Sequence, residues 1–181
     1  MPGMARVLVA AGHPDDEWLG VGGTILRHVA AGDAVTVYID GLCRQPDWAR
    51  PQELANLVGY DLRTDWPTDV PDILYTHHVG DLNADHRHVA ERALVIGRFA
   101  RTVRTFETVS STEWGLTPFV PDFYVAIDLT EKLHRLETYH DEMRPFPHPR
   151  SYAALSSLAE LRGSVVGLKA AEAFHTVRDT W

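Results

Sequence analysis

The 181-residue sequence has little of what stabilises secreted proteins or anchors proteins in membranes. Its one cysteine, Cys43, excludes an intramolecular disulfide. No apolar run reaches the roughly 20 residues of a transmembrane helix. The N-terminal stretch lacks the charged and apolar regions that make up a secretory signal. We therefore expect a cytoplasmic protein that does not bind membranes.

Positive charge is also scarce, because 17 Lys and Arg residues face 25 Asp and Glu residues and the formal net charge is -8. An acidic surface repels the phosphates of nucleic acid, so we expect no nucleic-acid partner. An anionic small substrate stays open, since a local basic pocket can form in an acidic protein. Apolar residues make up 45% of the chain, which is enough for the core of one domain spanning residues 1–181.

Short apolar runs alternate with helical segments along the chain. Residues 6–10 and 34–39 have the length and Val content of buried strands, and the intervening residues have helical spacing up to Gly32. Strand, helix and strand in this order form a βαβ unit. Further strands are predicted at 72–77, 103–108 and 123–128, and further helices at 52–58, after caps at Asp85 and Thr130, and from Ser151 onward with a break near Gly163. This pattern predicts a three-layer α/β fold with a mostly parallel sheet.

A glycine-rich phosphate loop is absent after the first predicted strand, which disfavours a dinucleotide-binding protein. Gly20, Gly22 and Gly23 lie within the first predicted helix instead. There we expect them to allow close packing of the helix on the sheet.

The turn after the first strand reads His13-Pro14-Asp15-Asp16-Glu17. Ligands of open α/β sheets bind beyond the carboxyl ends of strands, so this turn is well placed for a site. Imidazole and carboxylate groups are good ligands for a divalent metal, and two carboxylates can divide metal binding from proton transfer. Asp15 and Asp16 could instead be simple helix caps, and this pattern alone does not decide between the two.

A second polar segment, residues 76–88, follows the strand at 72–77 and therefore reaches the same edge of the sheet. It is rich in histidine, and a catalytic zinc usually takes three protein ligands. His86 is the best placed to be the third ligand. We expect His77 to orient or pack, His88 to be solvated, and His78 remains undecided.

At this point the sequence resembles a known family. Residues 11–17 and 81–87 resemble the two motifs of the PIG-L/LmbE family of zinc-dependent N-deacetylases. The likeness continues in order through 110–114, 144–149, 162–163 and 171–174, and so covers nearly the whole chain.

The resemblance implies a Rossmann-like fold, one Zn²⁺ held by His13, Asp16 and His86, and Asp15 as general base. The same ligand set would also accept Fe(II), Co(II) or Mn(II). It also implies that Asp85 supports the site through hydrogen bonds. Members of the family are often trimers or hexamers, so self-association is expected.

The chain departs from the family pattern in two places. Asn83 stands where many members have a histidine, so another group must help to polarise the carbonyl or to protonate the leaving amine, and His148 is our candidate. The stretch from Cys43 to Asp61 is shorter than the family's usual arginine-containing helix, which bears on specificity.

The sequence thus predicts hydrolysis of an N-acetyl group on an amino sugar or another small metabolite. Cleavage of a thiol conjugate, deacetylation of an antibiotic intermediate, and a non-catalytic metal-binding role remain alternatives. An activated sugar could use arginine to bind its phosphate and aromatic rings to stack on its ring. The candidates are Arg44, Arg87, Arg144 and Arg150, and Trp48, Trp66, Trp114 and Phe146.

Overall fold

The structure, a computed structural model, describes residues 4–40 and 48–180. Within them, seven strands form one sheet in the order β3-β2-β1-β4-β5-β7-β6. The strands are β1 (Arg6–Ala11), β2 (Ala34–Ile39), β3 (Asp61–Arg63), β4 (Ile73–His77), β5 (Thr102–Phe106), β6 (Phe123–Ala126) and β7 (Ala171–Asp179). The α-helices are α1 (Asp16–Ala31), α2 (Ala49–Val58), α3 (Ala84–Ile96), α4 (Leu129–Leu136) and α5 (Tyr152–Val165). The predicted α/β class is confirmed. None of these helices is long and apolar enough to cross a lipid bilayer.

The sheet is buried on both faces, because successive side chains of a strand point to opposite sides. In β1, Val7 and Val9 pack with the helices α1, α2, α4 and α5 on one face. Leu8 and Ala10 pack with α3 on the other face. The molecule therefore has two apolar cores and three layers, as the sequence pattern predicts.

The chain reverses its direction of travel across the sheet beside β1. From β1 it moves to β2 and β3 on one side, and then returns to β4 and β5 on the other. β1 pairs in parallel with both β2 and β4. The carboxyl ends of β1 and β4 therefore leave a crevice between their loops, which is where ligands of open α/β sheets bind.

The prediction of a helical tail is wrong beyond Val165. Residues Ala171–Asp179 form β7, which runs antiparallel between β5 and β6. The first four residues of β7 are all buried, because β5 and β6 flank them and helices α1 and α5 pack against them. A strand buried on both faces loses the alternating pattern by which strands are recognised, so its Ala and Glu residues favoured a helix.

Three smaller features also differ from the sequence prediction. The short strand β3 lies in a stretch that has no clear periodicity. Asn83, rather than Asp85, caps α3, and its side chain accepts the Asp85 N–H. Asp128, rather than Thr130, caps α4 by accepting the Glu131 N–H. In both helices the cap lies two residues earlier than predicted, since short polar side chains precede both positions.

A buried ion pair connects helix α1 to helix α4 and to strand β7 of the sheet. Lys132 Nζ donates to Glu172 Oε1 at 2.7 Å and to the carbonyl of Leu19 at 2.9 Å. The same Glu172 carboxylate accepts the backbone N–H groups of Gly23 and Thr24, each at 2.8 Å. Each buried charge is therefore fully partnered, as burial requires. The pair joins α4 and β7 to the helix that begins at the candidate site.

Candidate metal centre

The loop after β1 holds two carboxylates in a constrained backbone. Asp15 has a φ of 105°, which is unfavourable for a residue with a side chain. Its N–H donates to Glu17 Oε2 at 3.0 Å, and its carbonyl accepts the N–H groups of Trp18 and Leu19. Asp16, fully buried at the start of α1, accepts the His13 N–H at 3.0 Å. These contacts fix the directions of both carboxylates.

The loop after β4 is fixed by hydrogen bonds of its own. Asp81 Oδ1 accepts the Asn83 N–H at 2.8 Å, and Asn83 then caps α3. The Arg87 guanidinium donates to the carbonyls of Asp81 and Leu82, each at 2.6 Å. Arg87 therefore holds the loop in place. This contact accounts for the position of its side chain, and no phosphate ligand is needed to explain it. His86 lies in the first turn of α3 and points toward the loop after β1.

His13, Asp16 and His86 converge, with one ligand atom of each lying within 4.8 Å of the others. Asp16 Oδ2 is 3.1 Å from His13 Nδ1 and 3.0 Å from His86 Nε2. The two histidine nitrogens are 3.3 Å apart. Asp16 Oδ1 is buried and has no hydrogen-bond partner among the described residues. Two imidazoles and a carboxylate with a spare buried oxygen suit a divalent metal.

The outward nitrogen of each histidine meets another carboxylate. His86 Nδ1 lies 3.2 Å from Asp81 Oδ1, and His13 Nε2 lies 3.1 Å from Asp85 Oδ2. A carboxylate in this position orients a metal-binding histidine and fixes the tautomer that leaves its inner nitrogen free. The Asp81 side chain is fully buried, whereas the Asp85 side chain is 67% exposed. The structure thus places Asp85 beside the site, and its supporting role stays a prediction.

The electrostatics of the group favour an ionised Asp16. Burial opposes its charge, but His86 and His13 outweigh burial and hold the pKa of Asp16 well below its ordinary value. Burial likewise opposes the charge of His86, but Asp16 and Asp81 outweigh it and raise the pKa of His86 to about 9. Negative charge therefore dominates here, and a metal cation can take the place of the protons.

Asp15 lies next to this group but bonds elsewhere. Arg150 Nη2 donates to Asp15 Oδ1 at 3.1 Å and lies 2.9 Å from Asp15 Oδ2. Burial and the neighbouring Asp16 charge raise the pKa of Asp15 well above its ordinary value, although Arg150 opposes the rise. A carboxylate with a raised pKa is suited to accepting and returning a proton near neutral pH. Arg150, which could have been a phosphate ligand, instead pairs with Asp15.

His77 lies behind His86, as expected for an orienting residue. It is fully buried, and its ring stacks on that of His86 with centroids 3.9 Å apart. The Gly12 N–H donates to His77 Nε2 at 2.9 Å, so Nδ1 carries the proton and donates to Thr108 Oγ1 at 3.0 Å. Burial lowers the pKa of His77 to about 3. His77 therefore joins both loops as a neutral ring.

The other two histidines of this segment differ in burial. His78 is buried, and its Nε2 lies 3.2 Å from the carbonyl of Thr117, whereas His88 is exposed as predicted.

His148 lies in the loop that brings Arg150 to Asp15. Its ring is exposed, and its Nδ1 accepts the backbone N–H of Arg150 at 3.0 Å. This contact supports the shape of the loop, and participation of His148 in proton transfer stays a prediction.

The other residues that the sequence suggested for substrate binding differ in how far their side chains are exposed. The Arg144 guanidinium donates to the carbonyls of Asp141 and Met143. The half-buried Trp66 ring stacks on the buried Tyr38, and the half-buried Trp48 packs against the main core. In contrast, Trp114 and Phe146 are largely exposed, at 70% and 71%. Cys43 and Arg44 lie outside the described residues.

Three further side chains contact residues of the site, although the sequence prediction gives them no role. Ser111 Oγ lies 3.1 Å from Asp81 Oδ2, and Thr112 Oγ1 donates to the same oxygen. Tyr139 OH donates to Glu17 Oε1 at 2.7 Å. Ser111 and Thr112 fall within the segment that resembles the PIG-L/LmbE family, which is the one signal that could have found them. Tyr139 lies in a helical pattern and has none.

The chain matches no family model and no curated protein, but its fold matches solved structures over nearly its whole length. The conserved protein TT1542 from Thermus thermophilus is 20% identical with a TM-score of 0.74, covering 98% of this chain and 97% of that one. The N,N'-diacetylchitobiose deacetylase from Pyrococcus horikoshii is 17% identical with a TM-score of 0.68, covering 96% and 84%. The A40926 pseudoaglycone deacetylase Dbv21 is 15% identical with a TM-score of 0.68, covering 99% and 100%.

These likenesses establish the fold. Deacetylases are prominent among the similar structures, yet GalB, a 4-carboxy-2-hydroxymuconate hydratase from Pseudomonas putida KT2440, also matches with 18% identity and a TM-score of 0.66. One fold thus carries more than one reaction, so the function must be argued from the site.

Proposed function

We propose that the protein is a zinc-dependent amidase that removes an N-acetyl group from an amino sugar or a similar small metabolite. The observation that carries the proposal is the convergence of His13, Asp16 and His86 beside Asp15. Similar structures that are deacetylases of a chitobiose and of an antibiotic intermediate support the reaction class.

His13, Asp16 and His86 would hold the metal. A divalent metal acidifies water and polarises an amide carbonyl, which is the chemistry that amide hydrolysis needs. The carboxylates Asp81 and Asp85 keep the outer nitrogens of the two histidines engaged, so that the inner nitrogens are available.

Asp15 acts as the general base. It takes the proton of the attacking water and then gives it to the departing amine. Its burial raises its affinity for this proton, while Arg150 keeps the carboxylate oriented. Asn83 cannot supply positive charge, and its side-chain oxygen is engaged as a helix cap. Arg150 is a cation in direct contact with the proposed general base.

Aromatic side chains near this site are suited to bind a sugar ring of the substrate. Trp114 and Phe146 expose aromatic rings on the same loops that carry Ser111 and Arg150. Exposed aromatic rings stack on the apolar faces of sugars, and their burial against a ligand is favourable.

The proposal is tested by measuring acetate release from a panel of N-acetylated amino sugars, free and nucleotide-linked. Zinc-loaded and chelator-treated proteins are compared, with tightly bound zinc measured in parallel. Zinc-dependent acetate release from a member of the panel supports the proposal. Water addition to an unsaturated acid without amide cleavage would instead place the chain with the hydratase GalB in function.

A further inference from the structure

A cavity of about 530 Å³ lies between the segment that follows β5 and helix α5. Its lining is mostly apolar, and the apolar residues are Val109, Pro118, Phe119, Pro149, Ala154 and Leu158. The volume falls within the range of roughly 300–1,000 Å³ that is usual for small-molecule sites.

Residues of the cavity wall contact, or adjoin in sequence, residues that support the candidate metal centre. Thr112 lines the cavity and donates to Asp81, which contacts His86. Thr108 lines it as well and bonds to His77. A third contact runs through Pro149, which directly precedes the Arg150 that holds Asp15. The cavity is therefore separated from His86 by Thr112 and Asp81, and from Asp15 by Arg150, so a substituent of a substrate held at the metal centre has a short distance to span.

The charged side chains of the wall are already engaged. Glu107 and Arg162 form a two-bond ion pair at 2.7 and 2.6 Å, and Glu113 accepts the Ser110 N–H at 2.7 Å. Arg162 is thus neutralised by Glu107, and the exposed Glu113 keeps its negative charge, so the wall offers no free cation to an anionic ligand and presents mostly apolar surface. Such a lining selects an uncharged apolar group.

We propose that this cavity binds an apolar substituent of the substrate, an alkyl chain or a ring, during hydrolysis of the amide. The inference rests on the proposed function, because it assigns the cavity to the substrate of the same site. The substituent belongs either to the acyl group that is removed or to the amine that remains. Both sources have the same chemistry, and substrate series that vary one side at a time distinguish them.

The test measures dissociation constants by calorimetry with zinc-loaded Asp15→Asn protein. One series consists of the methyl, butyl and hexyl glycosides of N-acetylglucosamine, and the other of N-acetyl-, N-butanoyl- and N-hexanoylglucosamine. Burial of one methylene is worth about fourfold in affinity, so binding should tighten by tenfold or more, on that scale, along one series. Binding needs no turnover, so this result stays readable even if acetate release fails.

A pair of variants on helix α5 locates the effect. Leu158→Trp fills the cavity and should flatten the dependence on chain length, whereas Leu161→Trp changes an exposed residue of the same helix and should keep it. If Leu158→Trp fails to fold, Ala154→Leu fills the same space. Equal affinity along both series, or a dependence on chain length that the filled variants retain, would overturn the proposal.

Discussion

The carboxylate of Glu17 holds the backbone of Asp15, whose N–H donates to Glu17 Oε2 at 3.0 Å. Asp15 needs this support, because its φ of 105° is costly for a residue with a side chain. The other oxygen of Glu17 accepts the Tyr139 hydroxyl at 2.7 Å. Glu17 is fully buried, so it supports the backbone of Asp15, the proposed general base, from behind the site.

Glu17→Ala should lower kcat on the order of 10–100-fold and leave KM nearly unchanged, because a displaced general base weakens the reaction more than binding. Glu17→Gln should recover part of the activity, since its amide oxygen can accept the Asp15 N–H. Steady-state kinetics on both variants, with circular dichroism as the check on folding, measure the effect. Equal losses in the two variants would contradict the positioning role.

Stability of the metal-free protein should depend on pH through Glu17. Burial raises its pKa from an ordinary 4.5 to about 7, so the folded protein holds a proton that the unfolded chain releases. The contribution of Glu17 to stability therefore falls as pH rises from about 4.5 to about 7. Glu17→Gln removes this contribution. Urea unfolding at pH 5 and pH 7.5, with chelator present, should give a smaller decrease for the variant, and equal decreases would refute the sign.

Asp81 should matter more than Asp85 for metal affinity. Both carboxylates meet the outer nitrogen of a histidine, but Asp81 is fully buried and Asp85 is 67% exposed. Removal of such a carboxylate typically costs about 10–100-fold in metal affinity. We expect the loss in zinc affinity to lie at the upper end of this range for Asp81→Asn and at the lower end for Asp85→Asn. Competition with a zinc chelator measures both losses. The reverse order would show that exposure does not govern the contribution.

Gly20 should be required for packing of α1 on the sheet. A Cβ at this position would lie 2.3 Å from Phe106 Cδ2, and the Phe106 ring is fully buried. Gly20→Ala should therefore destabilise the protein by about 3 kcal/mol through overpacking. Gly32→Ala is the matched control, because a Cβ there meets no atom within 4 Å and costs only about 1 kcal/mol of backbone strain. Chemical denaturation of both variants measures the two losses in the free energy of unfolding. Equal losses would contradict the close approach of Gly20 to Phe106.

The approach of His13, Asp16 and His86 to one another could be predicted in part from the sequence, because all three lie in the segments that follow two neighbouring parallel strands. His13 and His86 are 73 residues apart, yet each lies where a parallel strand delivers its loop to the same edge of the sheet. Residue chemistry and topology therefore predicted that the two loops meet, whereas the choice of Asp16 rather than Asp15 as the third ligand came from the resemblance to the PIG-L/LmbE family.

The partner of Asp15 could not be predicted in the same way. Arg150 is 135 residues away and reaches Asp15 from an irregular loop, where no periodicity fixes the direction of a side chain. The sequence predictions for the cap of α3 and for the segment that forms β7 were wrong for related reasons. Asn83 and Asp85 are both good caps, and the burial of β7 on both faces erased its alternation.

The most direct test compares Asp15→Asn with Asp16→Asn in one experiment that measures bound zinc and acetate release. Asp15→Asn should keep its zinc and lose about 10²–10⁴-fold in turnover, as expected for a missing general base. Asp16→Asn should lose the zinc itself. Undiminished turnover in Asp15→Asn, or full zinc occupancy in Asp16→Asn, would contradict the division of labour between these two carboxylates.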